Sequence, residues 1–157
     1  MTETIRFVVP LPPVMIRSNS RSHWARRVKA KQEYSEAVLA ALANQTAMQV
    51  LGRPATLLGV AMVMGIVPEG MERKGPWAKA RVTFTWKACH LPDQSNVLGN
   101  CKALLDILCM APKTAQTNNT TYLGLIEDDK GVIATGAVEK VSHRHEECVV
   151  VVIERVK

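Results

Sequence analysis

The residues of this chain best suited to chemistry are its aspartates. All four, Asp93, Asp106, Asp128 and Asp129, lie between Leu91 and Lys130, in the stretches LPDQSNVLGNCKALLDIL and LGLIEDDKG, although the chain as a whole carries a net charge of +6. Carboxylates gathered into one stretch of a basic protein suggest a divalent-metal site facing a polyanion. Mg²⁺ prefers hard oxygen ligands, keeps several waters, and is usually held by one or two carboxylates together with substrate phosphate oxygens. Held in that way it can activate a water, polarise a phosphoryl group and stabilise the leaving oxygen of an in-line displacement. The same residues also have a plainer explanation. Asp93 and Ser95 precede an apolar-periodic segment, as ordinary helix N-caps do, and EDDKG is an ordinary polar turn.

The elements around the aspartates must position them. Ala80 to Lys87 alternates as a strand and delivers the chain to Asp93. A helix is expected from Asn96 to Leu108, where Leu98, Cys101, Leu104, Leu105 and Leu108 form an apolar stripe. Lys102 and Asp106 stand beside that stripe at i and i+4. Lys before Asp is the weaker order for a helical ion pair, contributing at best a few tenths of a kcal/mol, so pairing alone is a poor reason for both to be there. Asp93 falls near the positive end of this helix, which favours its charged form. After a polar loop, Leu123 to Ile126 lead into Glu127, Asp128 and Asp129. Two further strands, Val132 to Val141 and Cys148 to Val156, flank a hairpin tip, SHRHEE.

Positive charge is concentrated at the other end of the chain. Residues 1–53 hold eight basic and three acidic side chains, so +5 of the +6 lies in this third. Between Arg17 and Lys31 there are six basic residues, Arg17, Arg21, Arg26, Arg27, Lys29 and Lys31, and no acid. That asymmetry points to a polyanionic partner. A first strand, Ile5 to Pro10, precedes this run, and a helix from about Ser22 to Met48 follows, with Ser20 or Ser22 as its cap and a stripe of Tyr34, Ala37, Val38, Ala41 and Leu42. His23 and Trp24 could touch phosphate and stack on a base; the alternative has Trp24 covering the core edge and His23 solvated. Ala55 to Val67 reads as a strand apolar on both faces. PEGMERKGPWAK reads as an exposed hairpin tip, where Lys74, Trp77 and Lys79 offer a second possible nucleic-acid contact.

The combination PDQSN, KALLDIL and LIEDDKGV resembles the RusA family of Holliday junction resolvases, small phage and bacterial endonucleases. Asp93 falls on that family's first Asp, Asn96 on its Asn, Lys102 and Asp106 on its helical Lys and Asp, and Asp128 with Asp129 on its final pair. The opening FVVPLPPVMIRSNSRSHW also resembles the family's first strand and Arg-rich loop. The resemblance implies an α+β domain over residues 1–157, with two helices on a mixed sheet, and a homodimer acting on branched DNA. It implies Asp93, Asp128 and Asp129 as ligands of Mg²⁺ (or Mn²⁺), with Asp93, Asp129 and Lys102 catalytic. Ser95, Asn96 and Asp106 would support them, and Arg17, Arg21, Arg26, Arg27, Lys29 and Lys31 would hold DNA. Two departures are evident. Ser95 stands where the family has its second catalytic Asp, which opens the alternative of a junction-binding protein that has lost cleavage. Asn96 and Lys102 are six residues apart where the family has three; since an insertion of three nearly preserves the helical period, Lys102 can still face the site, and Asn100 could equally play the Asn. A domain binding RNA through the basic helix is a third, weaker alternative.

Other classes are disfavoured. Cys89, Cys101, Cys109 and Cys148 form no CxxC pair, so reduced, packed thiols are expected rather than zinc. His143 and His145 are expected to be solvated turn residues. No secretory signal is legible in MTETIRFVVPLPP, and the longest apolar run, LLGVAMVMGIV, has eleven residues, too few to span a bilayer. A cytoplasmic protein without a membrane partner is the expectation.

Overall fold

The computed structural model describes residues 4–18, 20–51, 76–110 and 122–157. Four strands in these residues form one mixed sheet: β1 (Thr4–Val9), β2 (Ala80–Ala88), β3 (Val132–Lys140) and β4 (Cys148–Arg155), in the order β1-β4-β2-β3. β4 is antiparallel to β1 and to β2, whereas β2 and β3 are parallel, in register from Ala80↔Val132 to Ala88↔Lys140. Parallel neighbours cannot be joined by a tight hairpin and need a crossover. The aspartate-bearing stretch is that crossover. The helices of the described residues are α1 (Trp24–Leu51), α2 (Val97–Asn100) and α3 (Lys102–Leu108), so the class is the expected α+β, with the second expected helix divided into two.

Strand periodicity sets the core. β2, ARVTFTWKA, buries every second residue, Ala80, Val82, Phe84, Trp86 and Ala88, as a strand with one face on the core must. Phe7, Val9, Val149, Val151 and Ile153 extend that layer. α1 covers it with Ala30, Tyr34, Val38 and Leu42, one residue per turn. Burying a side chain of Val or Leu size stabilises by about 1.5–3 kcal/mol, so this apolar layer dominates the fold. Two polar contacts fix α1 in place. The Tyr34 hydroxyl donates to the Pro10 carbonyl at 2.8 Å. The Gln45 amide accepts from the Val8 N–H at 2.7 Å and donates to the Val8 carbonyl at 2.6 Å.

Several expectations need correction. α1 begins at Trp24, and neither serine caps it: Ser20 Oγ accepts from the Ser22 N–H at 3.2 Å, while the Ala25 N–H donates to His23 Nδ1 at 3.3 Å. The serines bond each other in their own local turn, so the helix is capped by the histidine. Ala37 is exposed and drops out of the buried stripe. The expected second helix bends at Cys101 (φ −95°, ψ 5°), although Cys101 N–H still donates to Val97 and Leu105 N–H to Cys101, each at 2.9 Å. The bend turns Val97 inward and leaves Leu98 39% exposed, while Cys101, Leu104 and Leu108 of the expected stripe are buried. Val97 packs on Gly136 of β3, where a Cβ would come within 2.9 Å of the Val97 Cβ.

Trp77 is buried and not at an exposed tip. Its N–H donates to the Leu125 carbonyl at 3.0 Å and its carbonyl accepts from the Glu127 N–H at 3.1 Å. The expected strand Ala55–Val67, the loop before Pro76 and the loop after Met110 up to residue 121 lie outside the described residues. All four cysteines are free thiols, and among the described residues no helix is long and apolar enough to cross a membrane.

Candidate functional site

The crossover folds back over β3. Gln94 Nε2 donates to the Gly136 carbonyl at 3.2 Å, which sets the turn Gln94–Asn96 above the middle of the strand. From there α2 and α3 carry Lys102 towards the strand's start. Beyond α3, the segment 122–126 returns along the helix end, where the last carbonyls have no partner within the helix. Leu123 N–H donates to Ile107 at 2.8 Å, Leu125 N–H to Leu108 at 2.9 Å, and Gly124, at φ +62°, donates to Cys109 at 3.2 Å. The chain then turns through Asp129–Gly131 into β3. Asp128 Oδ1 caps that turn, accepting from the Lys130 N–H at 3.3 Å. Gly131 lies against the Ala78 backbone so closely that any Cβ would overlap the Ala78 carbonyl oxygen.

Lys102 is where the site converges. Its ammonium donates to Asp129 Oδ2 at 2.6 Å and meets Asp106 Oδ1 at 3.0 Å. The other oxygen of Asp106 takes Lys31 Nζ of α1 at 3.3 Å. Two lysines and two aspartates, from three separate parts of the chain, thus form one alternating row of charge. The row is open to water: the Lys102 side chain is 55% exposed and that of Asp129 41%. The Lys102 hydrogen bond holds the Asp129 carboxyl below its ordinary value, and the bond to Asp129 holds the Lys102 ammonium above its own. Both groups are therefore charged across the neutral range. Cys109 lies beside the row; burial, with the charges of Asp129 and Asp106, pushes its thiol up to about 11, which keeps it protonated and a poor nucleophile.

Not every expected residue joins this row. Asp93 only starts the Gln94–Asn96 turn: its carbonyl accepts the Asn96 N–H at 2.8 Å and its side chain makes no cap. The reason is geometric. Gly136, beneath Gln94, is four residues past Val132, roughly 13 Å along the strand from the Asp129 turn. Among the described residues no three His, Cys, Asp or Glu side chains come together as a metal cluster. Ser95 is exposed and Asn96 half-buried. Asn100 is buried and accepts from Ser18 Oγ at 3.3 Å, a packing role that removes it from the charged row.

The basic run also divides. Arg17 is half-buried, its guanidinium 4.9 Å from the Trp86 ring centroid and its Nε donating to the Pro12 carbonyl at 2.8 Å; it braces the core edge. Lys31 belongs to the charged row. Arg21, Arg26, Arg27 and Lys29 remain exposed. Sequence reasoning missed Lys31 as the partner of Asp106, for which no local signal exists across 75 positions. No protein-family model, curated protein or solved structure matches the chain.

Proposed function

We propose that the protein is a Mg²⁺-dependent, structure-selective endonuclease of the RusA type, which cleaves four-way DNA junctions as a homodimer and accepts Mn²⁺ in place of Mg²⁺. The observation that carries this reading is the single ammonium of Lys102 shared by Asp106 and Asp129 on an open face, with basic α1 joined to the same row through Lys31. Solvent-exposed ion pairs contribute only about 0.2–1 kcal/mol each. Folding gains little from gathering these groups, whereas phosphodiester hydrolysis needs carboxylates, a cation and a positive approach surface together.

The donors suit a hard cation. Asp128 and Asp129 supply adjacent carboxylates, and Mg²⁺ is commonly held by one or two carboxylates plus phosphate oxygens and water. Bound there, the ion would activate water and offset charge on the phosphoryl group. The chain's own groups do the rest. Asp129 stays ionised at neutral pH through Lys102, Lys102 offers an ammonium to the phosphate, and Arg21, Arg26, Arg27 and Lys29 hold the backbone without reading sequence.

The test is incubation of the purified protein with a labelled synthetic four-way junction and a matching linear duplex, with and without Mg²⁺ or Mn²⁺, beside Asp129→Asn. Metal-dependent cutting of the junction alone, lost in Asp129→Asn, is the expected result; absence of any cutting defeats the endonuclease reading. A second reading, a junction-binding protein without cleavage, is favoured by one observation: an exposed serine, Ser95, stands where the resemblance calls for a carboxylate. Under it, Ser95→Asp switches cleavage on in a protein that otherwise only binds.

A further inference from the structure

Residues 23–29 are all exposed, and Ala30 is the first buried residue of α1. The helix therefore projects beyond the body of the protein for its first turns. Trp24, on this projection, is 70% exposed, whereas Trp77 and Trp86 are both buried. Such exposure contradicts the expectation that Trp24 covers the core edge. The ring is not isolated. The His23 imidazole lies beside it, with centroids 5.7 Å apart and planes inclined by 37°, and is itself fixed by the Ala25 N–H. Val28, one turn on, is also exposed.

We propose that Trp24, backed by His23 and Val28, is a stacking platform for an unpaired base of DNA, and that Arg21, Arg26 and Arg27 hold the adjoining phosphates. The proposal rests on the reading of the chain as a DNA-acting protein and adds what the DNA must present: a base free of its partner. Charge selects the occupant. Arg21, Arg26 and Arg27 make no ion pair among the described residues, and Lys29 reaches Glu33 only at 3.9 Å, so an apolar protein surface would leave this charge unanswered. A DNA strand supplies a phosphate about every 3.4 Å together with faces that stack on an aromatic ring, whichever base is present.

Position selects it too. Trp24 and Lys31 are seven residues apart, nearly two full turns, and so share one face of α1 about 10 Å apart along the axis. Lys31 touches Asp106 of the charged row. A strand laid across that row therefore passes Trp24, and a base displaced at a branch point can rest on it while the phosphates beyond reach Lys102.

Because the other two tryptophans are buried, fluorescence changes on base stacking report on Trp24. The full-length protein is titrated with oligothymidylate and with blunt duplex of equal length at one salt concentration, and affinity is followed in parallel by anisotropy of labelled DNA. Oligothymidylate is expected to quench the emission saturably. Trp24→Ala is expected to abolish the quench and weaken oligothymidylate binding roughly 5- to 100-fold, the size of one base stack, with duplex binding changed less than about twofold; Trp24→Phe should retain most of the affinity. Equal losses for single strand and duplex, or unchanged affinity in Trp24→Ala, overturn the platform while leaving the DNA-acting reading intact. Failure of the wild-type protein to bind any DNA, the junction included, overturns both.

Discussion

Along α1 the chain handles positive charge in two ways. At Lys31 the ammonium is set against a carboxylate, 3.3 Å from Asp106 Oδ2, and through Asp106 and Lys102 it is linked to Asp129. About one turn earlier, Arg26 and Arg27 stand in water with no ion pair among the described residues. The first region is neutralised from within, so its charges hold their places before any ligand arrives. The second is left uncompensated, and its charge acts outward. Preorganised charge suits chemistry at a fixed point; uncompensated charge suits attraction of a polyanion at a distance. The difference teaches that a basic run in a sequence is not one functional unit.

Breaking the neutralised region should have the larger consequences. Asp129→Asn should lower metal-dependent junction cleavage by roughly two to three orders of magnitude, the scale for loss of a preorganised electrostatic group, while junction affinity by gel shift is held or raised. Next comes Gly131→Ala. Its methyl has no room beside the Ala78 carbonyl, so the Asp129 turn must shift; a stability loss of about 1–3 kcal/mol in urea unfolding, as for other overpacked sites, should accompany reduced cleavage.

Lys102→Met tests the row itself and should cost about 1 kcal/mol at neutral pH, with a particular pH dependence. Asp129 is held below its ordinary 3.8, so its contribution is present above that value and lost as pH falls through the depressed one. Lys102 is held above its ordinary 10.5, so its contribution is present below that value and lost as pH rises through the elevated one. The wild-type advantage over Lys102→Met should therefore be flat between these limits and vanish at both ends; an advantage that peaks near pH 6 would contradict this account. The smallest effect on folding belongs to the projecting turns. Arg26→Gln or Arg27→Gln should change stability by less than about 0.5 kcal/mol, yet lower the slope of log K against log salt by about one each. If either lowers stability as much as Lys102→Met, the contrast between the two regions collapses.

Much of the scaffold was legible because short-range patterns decided it. The alternation in ARVTFTWKA and the spacing of Tyr34, Val38 and Leu42 each specify a buried face without reference to the rest of the fold. The i, i+4 relation of Lys102 and Asp106 was equally plain, and the pair forms at 3.0 Å in spite of its unfavourable order. What escaped depended on distant partners or on small backbone deviations. The bend at Cys101 exchanges Val97 for Leu98, and a period of 3.6 residues has no term for a bend. Arg17 and Lys31 look alike in sequence to Arg26 and Arg27, but Trp86 and Asp106, far along the chain, give them different work. The serines before α1 were better caps by residue type than His23, and they lost that place by bonding each other.

The Gln45 amide has a consequence of a different kind. Among the described strands β1 is outermost, and the Val8 N–H and carbonyl that Gln45 occupies point away from β4, towards the place where another strand would pair. A glutamine that satisfies both groups imitates a neighbouring strand without offering an edge of its own. Recruitment of foreign chains at this border, the first step towards aggregates built by strand addition, must first displace both bonds.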